Sequence, residues 1–120
     1  MGLFSKRVTA QKIRSLDEFE TVLAEGKPVF VDFWKNDCQP CRVMDGIVDE
    51  LADEFQDRAV VLKAGLHEVP ELFTKFKVRS TPTFVVVTPR DGGLHQRFRQ
   101  SGLVKKDRLV DQLQRATEKH

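Results

Sequence analysis

The sequence predicts an α/β fold: a mixed central sheet of four to five strands with helices on both faces. Three observations predict it. Helical and extended patterns alternate along the chain in the order helix, strand, helix, strand, helix, strand, strand, helix. The extended segments are short apolar runs rich in β-branched and aromatic residues, the mark of strands buried on both faces. The last two strands are joined by a short glycine turn, whereas the earlier ones are joined by helices. Helical crossovers imply parallel pairing early in the chain, and the hairpin implies antiparallel pairing late.

The elements follow in order. Val8 to Gln11 can supply a short first strand. Ser15-Leu16-Asp17-Glu18 is a capping box that opens a helix. Leu16, Phe19, Val22 and Leu23 form its apolar face, and Gly26 ends it. Val29 to Trp34, after Pro28, is a buried central strand. Cys38 to Phe55 follows as a helix, with Val43, Met44, Ile47, Val48, Leu51, Ala52 and Phe55 on its apolar face and Asp49, Glu50, Asp53 and Glu54 outward. Ala59 to Ala64 is a second buried strand. His67 to Phe76 holds a short helix with Pro70 in its first turn, where a missing N–H is tolerated. Phe73, Phe76 and Val78 read as core or as the rim of the site. Thr83 to Thr88 is a third strand. Arg90-Asp91-Gly92-Gly93 turns the chain, and Leu94 to Ser101 returns as the hairpin partner. Lys105 to Glu118 closes as an amphipathic helix through Leu109, Val110 and Leu113.

Length and composition bound the function. The chain has 120 residues and no linker or repeat, so 1–120 reads as a single domain. The net charge of +2 is too balanced to predict binding to nucleic acid or membrane. Arg97, Arg99, Lys105, Lys106 and Arg108 read as a solvated basic face. Residues 1–14 contain no apolar run long enough for a signal sequence or membrane span. Gly2 has Lys6 where a myristoylation signal needs Ser or Thr. The cytoplasm is therefore the expected compartment.

The chemistry lies in the only two cysteines, at Cys38-Gln39-Pro40-Cys41. They are too close in sequence to be an effective staple, because the loop they close constrains the unfolded chain little. They stand between a buried strand and a helix. Unpartnered N–H groups at a helix start stabilise a thiolate, so Cys38 would be the nucleophile of disulfide exchange. Cys41, one turn further on, can attack the resulting mixed disulfide. Pro40 suits the first turn. Two other readings compete. Half of a zinc site would need two more ligands, and His67, His95 and His120 show no ligand spacing. A pair of merely structural buried thiols is the second.

The run Phe30-Val31-Asp32-Phe33-Trp34-Lys35-Asn36-Asp37-Cys38-Gln39-Pro40-Cys41-Arg42 resembles the active-site segment of the thioredoxin family. Thr81-Pro82-Thr83, about forty residues later, stands where that family carries a cis-proline, and Gly102 matches the glycine after its last strand. The resemblance covers nearly the whole chain and implies the thioredoxin fold. It implies a protein-disulfide reductase with Cys38 as nucleophile and Cys41 as resolving thiol. The Cys38–Cys41 disulfide would be redox-active, and no metal or organic cofactor would be needed. The partners it implies are protein disulfide substrates and an electron donor such as a thioredoxin reductase, and a monomer is expected.

By the same resemblance Asp32 is the buried acid that passes protons as Cys41 attacks. A carboxylate inside an apolar strand has no inexpensive structural purpose, which supports that role. Lys63 is the lysine partner of that acid, or else a solvated strand residue. Trp34 packs beside the site. Pro82, if cis, sets the Thr81 backbone opposite Cys38, where a substrate chain could pair as a strand.

The sequence departs from the family in three places. Gln39 replaces a glycine between the cysteines, at a position that tunes redox potential. Asp37 replaces a tryptophan directly before the nucleophile. Asp45-Gly46 replaces a small residue and a helix-kinking proline. Asp37, being negative, should disfavour the Cys38 thiolate, or it could point into water or cap the helix and shift little. Its charge argues against a strongly oxidising member. A disulfide isomerase or oxidase on the same fold, and an adaptor or folding helper with little redox turnover, remain as alternatives.

Overall fold

A computed structural model describes residues 7–118. Gly2, Lys6 and His120, which entered the readings above, lie outside the described residues. The elements are β1 (Gln11–Ile13), α1 (Leu16–Leu23), β2 (Val29–Trp34), α2 (Gln39–Glu54), β3 (Val60–Gly65), α3 (Pro70–Phe76), β4 (Thr83–Arg90), β5 (Gly93–Ser101) and α4 (Lys106–Glu118). They build one five-stranded sheet in the order β1-β3-β2-β4-β5. β3 pairs parallel with β1 and β2, and β4 pairs antiparallel with β2 and β5. The expected mixed sheet is therefore present, with the apolar run of β2 at its centre.

Each face of the sheet carries its own core. Ile13, Phe19, Val31, Phe33, Leu72 and Phe76 cluster on one face with α1 and α3. Phe30, Met44, Val48, Leu51, Phe84, Leu109 and Leu113 cluster on the other with α2 and α4. Side chains alternate along a strand, so Phe30 and Asp32 share the α2 face while Val31 and Phe33 point away from it. That alternation decides where the single carboxylate of β2 goes.

The local start and stop signals work as the sequence indicates. The Ser15 hydroxyl accepts the Glu18 N–H at 3.1 Å. The Glu18 carboxylate accepts the Arg14 N–H, one residue further back than the usual reciprocal bond of a capping box. Gly26 takes φ +94°, which a side chain would disfavour, and the chain reverses there into β2.

Four expectations are corrected. The first strand is not Val8 to Gln11 but Gln11–Ile13. The N–H groups of Val8 and Ala10 are taken by the carboxylates of Asp53 and Asp49, which hold that segment against α2 instead of on the ladder. For the same reason Asp49 is half-buried rather than outward. Val43 is 56% exposed. The buried stripe of α2 runs through Cys41, Met44, Val48, Leu51 and Ala52, and Val43 falls beside it. The basic residues are not merely solvated. Arg99 donates to the carbonyls of Phe76 and Lys77 at the end of α3. Arg108 bonds Gln100 and lies over the Phe98 ring, and Lys106 bridges Glu50 and Glu54.

Candidate active site

β2 ends at Trp34, and α2 begins a few residues later. Lys35-Asn36-Asp37 makes the turn, with Asp37 in the left-handed region at φ +56°. Cys38 is the N-cap of α2. Its Sγ accepts the Cys41 N–H at 3.3 Å, using one of the donors that a helix start leaves free. Pro40 sits in the first turn, where it removes no needed donor. Cys38 and Cys41 are joined as a disulfide and both are buried. Gln39 and Pro40 between them are exposed.

A loop from the other half of the chain reaches the same sulfur. The Thr81 hydroxyl donates to Cys38 Sγ at 3.4 Å. The Thr81–Pro82 bond is cis, as the resemblance implies. Gly102, at φ +87°, donates its N–H to the Pro82 carbonyl at 2.8 Å. The buried Thr83 hydroxyl bonds the Ser80 carbonyl and contacts the Ser101 hydroxyl at 2.7 Å. Sequence reasoning missed Ser80 and Ser101. The second threonine of Thr81-Pro82-Thr83, a polar residue starting a buried strand, was the available clue.

A row of register neighbours crosses the sheet through Asp32. Lys12 of β1 stands in register with Lys63 of β3, and Lys63 with Asp32 of β2. Phe84 of β4 follows on the other side of Asp32. Asp32 is 2% exposed, and its Oδ1 has no hydrogen-bond partner among the described residues. Burial pushes its pKa up to about 7. Attraction to Lys63 opposes that rise, and repulsion from Asp45 and Asp49 adds to it.

Lys63 stands beside Asp32 in register and its charge acts on that acid, but its ion pairs lie elsewhere. The Lys63 ammonium lies 2.7 Å from Asp45 and 3.0 Å from Asp49, both on α2. Nor is Lys63 a solvated strand residue, since it is only 5% exposed. Its four-carbon stem carries the charge away from the sheet to half-hydrated carboxylates. Burial pulls the Lys63 pKa down, but the two hydrogen bonds and the charges behind them outweigh that, and it rises above the ordinary lysine value.

Trp34 is half-buried, and its indole lies on Gly65, its register partner on β3. A Cβ at Gly65 would come within 2.8 Å of the ring. This glycine was also missed. The clue was a glycine closing one strand where a tryptophan closes its neighbour. Trp34, Cys41, Asp45 and Lys63 line a cleft of about 330 Å³ together with Lys12, Lys35, Asn36, Asp37 and Arg42. His67 contacts Asn36 at 3.5 Å. Among the described residues no group of three His, Cys, Asp or Glu side chains is placed to hold a metal ion.

Asp37 does not cap α2. The Cys38 sulfur holds that place, and Asp37 is exposed. Any effect it has on the thiolate is then that of a solvent-screened charge. At about 6 Å in water, two unit charges interact by roughly 0.7 kcal/mol. Asparagine tolerates the left-handed backbone as well as aspartate does, so Asp37→Asn changes the charge and little else. The reduced Asp37→Asn protein should alkylate with iodoacetamide about two- to threefold faster at pH 7 than wild type, with a more oxidising couple. Equal alkylation rates would show that the Asp37 charge is fully screened.

Comparison with known proteins agrees with this geometry. The family model described as Thioredoxin matches residues 10–115. The thioredoxin of Rickettsia bellii is 35% identical over 92 residues, covering 77% of this chain and 84% of that protein. The thioredoxin of Rickettsia prowazekii is 37% identical over 90 residues, covering 75% and 82%. Among solved structures, a Malassezia sympodialis thioredoxin superposes with a TM-score of 0.81 at 23% identity, over 97% of both chains. A mutant thioredoxin from Halobacterium salinarum gives 0.78 at 27% identity, over 94% of this chain and 95% of that one.

Proposed function

This chain belongs to the thioredoxin family, and we propose that it reduces protein disulfides by attack of Cys38, resolution by Cys41 and proton transfer through Asp32. That it is a thiol–disulfide oxidoreductase, a protein-disulfide reductase with a CxxC pair, follows from the family. Family members work through their redox-active disulfide without a further cofactor, on protein disulfides and with a reductase as donor. The order of events and the residue roles are our reading.

The observation that carries the reading is the convergence on one sulfur. Cys38 Sγ receives a backbone N–H from the helix start and the Thr81 hydroxyl from the opposite loop. Both donors favour a thiolate there. The thiolate attacks one sulfur of a substrate disulfide, and the other leaves as a thiolate and takes a proton from water. A mixed disulfide joins Cys38 to the substrate. Cys41 gives its proton to ionised Asp32 and attacks Cys38 Sγ. The second substrate sulfur leaves and takes a proton, and the Cys38–Cys41 disulfide remains. Two electrons have passed to the substrate, and an external reductase restores the dithiol. An acid with a pKa of about 7 can both accept and return that proton near neutral pH.

The substrate chain would lie along Thr81 beside Cys38, pairing through its backbone. Trp34, Gln39 and Gly102 would border that track. The protein would act as a monomer, in the cytoplasm, with 1–120 as one domain.

The test is reduction of insulin with dithiothreitol as electron source, followed by turbidity, together with a titration of the couple against glutathione. Catalytic turnover and a reducing potential are expected. Binding of partners without turnover would favour the adaptor reading. A strongly oxidising potential would favour the oxidase or isomerase.

A further inference from the structure

Asp45 departs from the family sequence, and the reaction as written gives it no part. We propose that Asp45, aided by Asp49, is a positioning residue for the Asp32 proton: it holds the Lys63 ammonium on α2 and so keeps that cation from pairing with the Asp32 carboxyl. The inference rests on the reading of Asp32 as the proton carrier for Cys41.

Lys63 and Asp32 are register neighbours on the same face of the sheet, and both are buried. A buried carboxyl's strongest available partner is a buried ammonium. Yet Lys63 Nζ lies 2.7 Å from Asp45 Oδ1 and 3.0 Å from Asp49 Oδ1, while Asp32 Oδ1 has no partner among the described residues. The reason lies in hydration. The Asp45 side chain is 60% exposed, so an ion pair there carries little desolvation cost. One at Asp32, sealed in the sheet, would carry more. The lysine therefore goes to the better-hydrated carboxylates. Asp45 makes the shorter of the two contacts, and Asp49 also accepts the Ala10 N–H.

The other charged groups near Asp32 do not replace this arrangement. β1 offers Lys12, in register with Lys63 and no closer to the acid. β4 offers Phe84, which carries no charge. Lys35, Asp37 and Arg42 line the outer cleft with Cys41 and Asp45. Among the described residues, only Lys63, Asp45 and Asp49 act appreciably on Asp32 through their charges, the first lowering and the others raising its pKa. Removing the Asp45 carboxylate deletes one repulsion and loosens the tether on the lysine. Both effects move Asp32 the same way, towards ionisation at lower pH.

The experiment follows the Asp32 carboxyl carbon by NMR as a function of pH. Oxidised protein is used, in which neither cysteine titrates. Wild type is compared with Asp45→Asn, and with Asp45→Ser in case the amide finds a bond of its own. The Asp32 midpoint should fall by about half a pH unit or more in both variants, the effect of a partly screened unit charge. A midpoint that stays or rises overturns the proposal. The second readout is the pH profile of mixed-disulfide resolution by Cys41. Its acid limb should move with the midpoint in Asp45→Asn and stay fixed when the same change is made in an Asp32→Asn background. A shift that persists in that background overturns action through Asp32. A midpoint that falls while the profile stays fixed supports the positioning by Asp45 and refutes the proton role of Asp32.

Discussion

Cys38→Ser should reduce insulin turnover to the rate of dithiothreitol alone, and Cys41→Ser should stop the reaction half-way, with substrate attached to Cys38. The two cysteines have similar burial but different surroundings. Cys38 Sγ has the Cys41 N–H and the Thr81 hydroxyl on it, and Cys41 Sγ has neither. A serine hydroxyl at position 38 would keep the same donors but stay protonated at neutral pH, so no nucleophile forms. At position 41 the substituted side chain is not needed for the first attack. The N–H that Cys41 donates is backbone and survives the change. The mixed disulfide should therefore form at near wild-type rate and persist, visible by mass spectrometry or on a non-reducing gel. Equal turnover by wild type and Cys38→Ser would remove Cys38 from the mechanism. Accumulation of substrate on Cys41 in the Cys38→Ser protein would reverse the assigned order of the two sulfurs.

The sequence made the architecture legible because hydrophobic burial has a period. β2 is an apolar run broken only by Asp32, and α2 and α4 repeat at helical spacing, so their faces could be assigned before their neighbours were known. The two-cysteine turn was legible because strand, turn and helix start are contiguous. What was not legible depends on contacts across the sheet. β1 starts three residues and ends two residues later than expected because Asp49 and Asp53, thirty-nine and forty-five residues away, claim the N–H groups of Ala10 and Val8. No local pattern reports that. The ion pairs of Lys63 were hidden for a different reason. Register puts Lys63 beside Asp32, but a long side chain ends far from its own Cα, and α2 supplies two carboxylates where it ends. Asp45 could be recognised as a departure, yet its use required knowing which face of α2 lies over β3. Gly65 was hidden for a related reason. Its missing side chain matters only because the Trp34 ring occupies the space.

Asp32→Ala should make the folded protein more stable at alkaline pH while slowing resolution by Cys41. Burial raises the Asp32 pKa from 3.8 to about 7. For an acid whose folded pKa is raised, the cost to stability is absent below the unfolded pKa. It grows as pH climbs through the interval and is complete above the folded pKa. A rise of that size corresponds to a cost on the order of 4 kcal/mol at pH 8 and above. Truncation to alanine leaves a small void, worth about 1 kcal/mol against the mutant. It would ordinarily also orphan a buried lysine, a far larger loss. That loss does not arise here, because Lys63 already has Asp45 and Asp49. The net gain at pH 8.5 should then be roughly 2–3 kcal/mol, read as a higher urea midpoint for the oxidised mutant. At pH 4, where Asp32 is protonated in the folded protein, the gain should vanish or turn into the small cavity cost. A mutant advantage that is the same at pH 4 and pH 8.5 would mean that Asp32 is not sealed from water. A mutant less stable at pH 8.5 would mean that Lys63 depends on Asp32 after all.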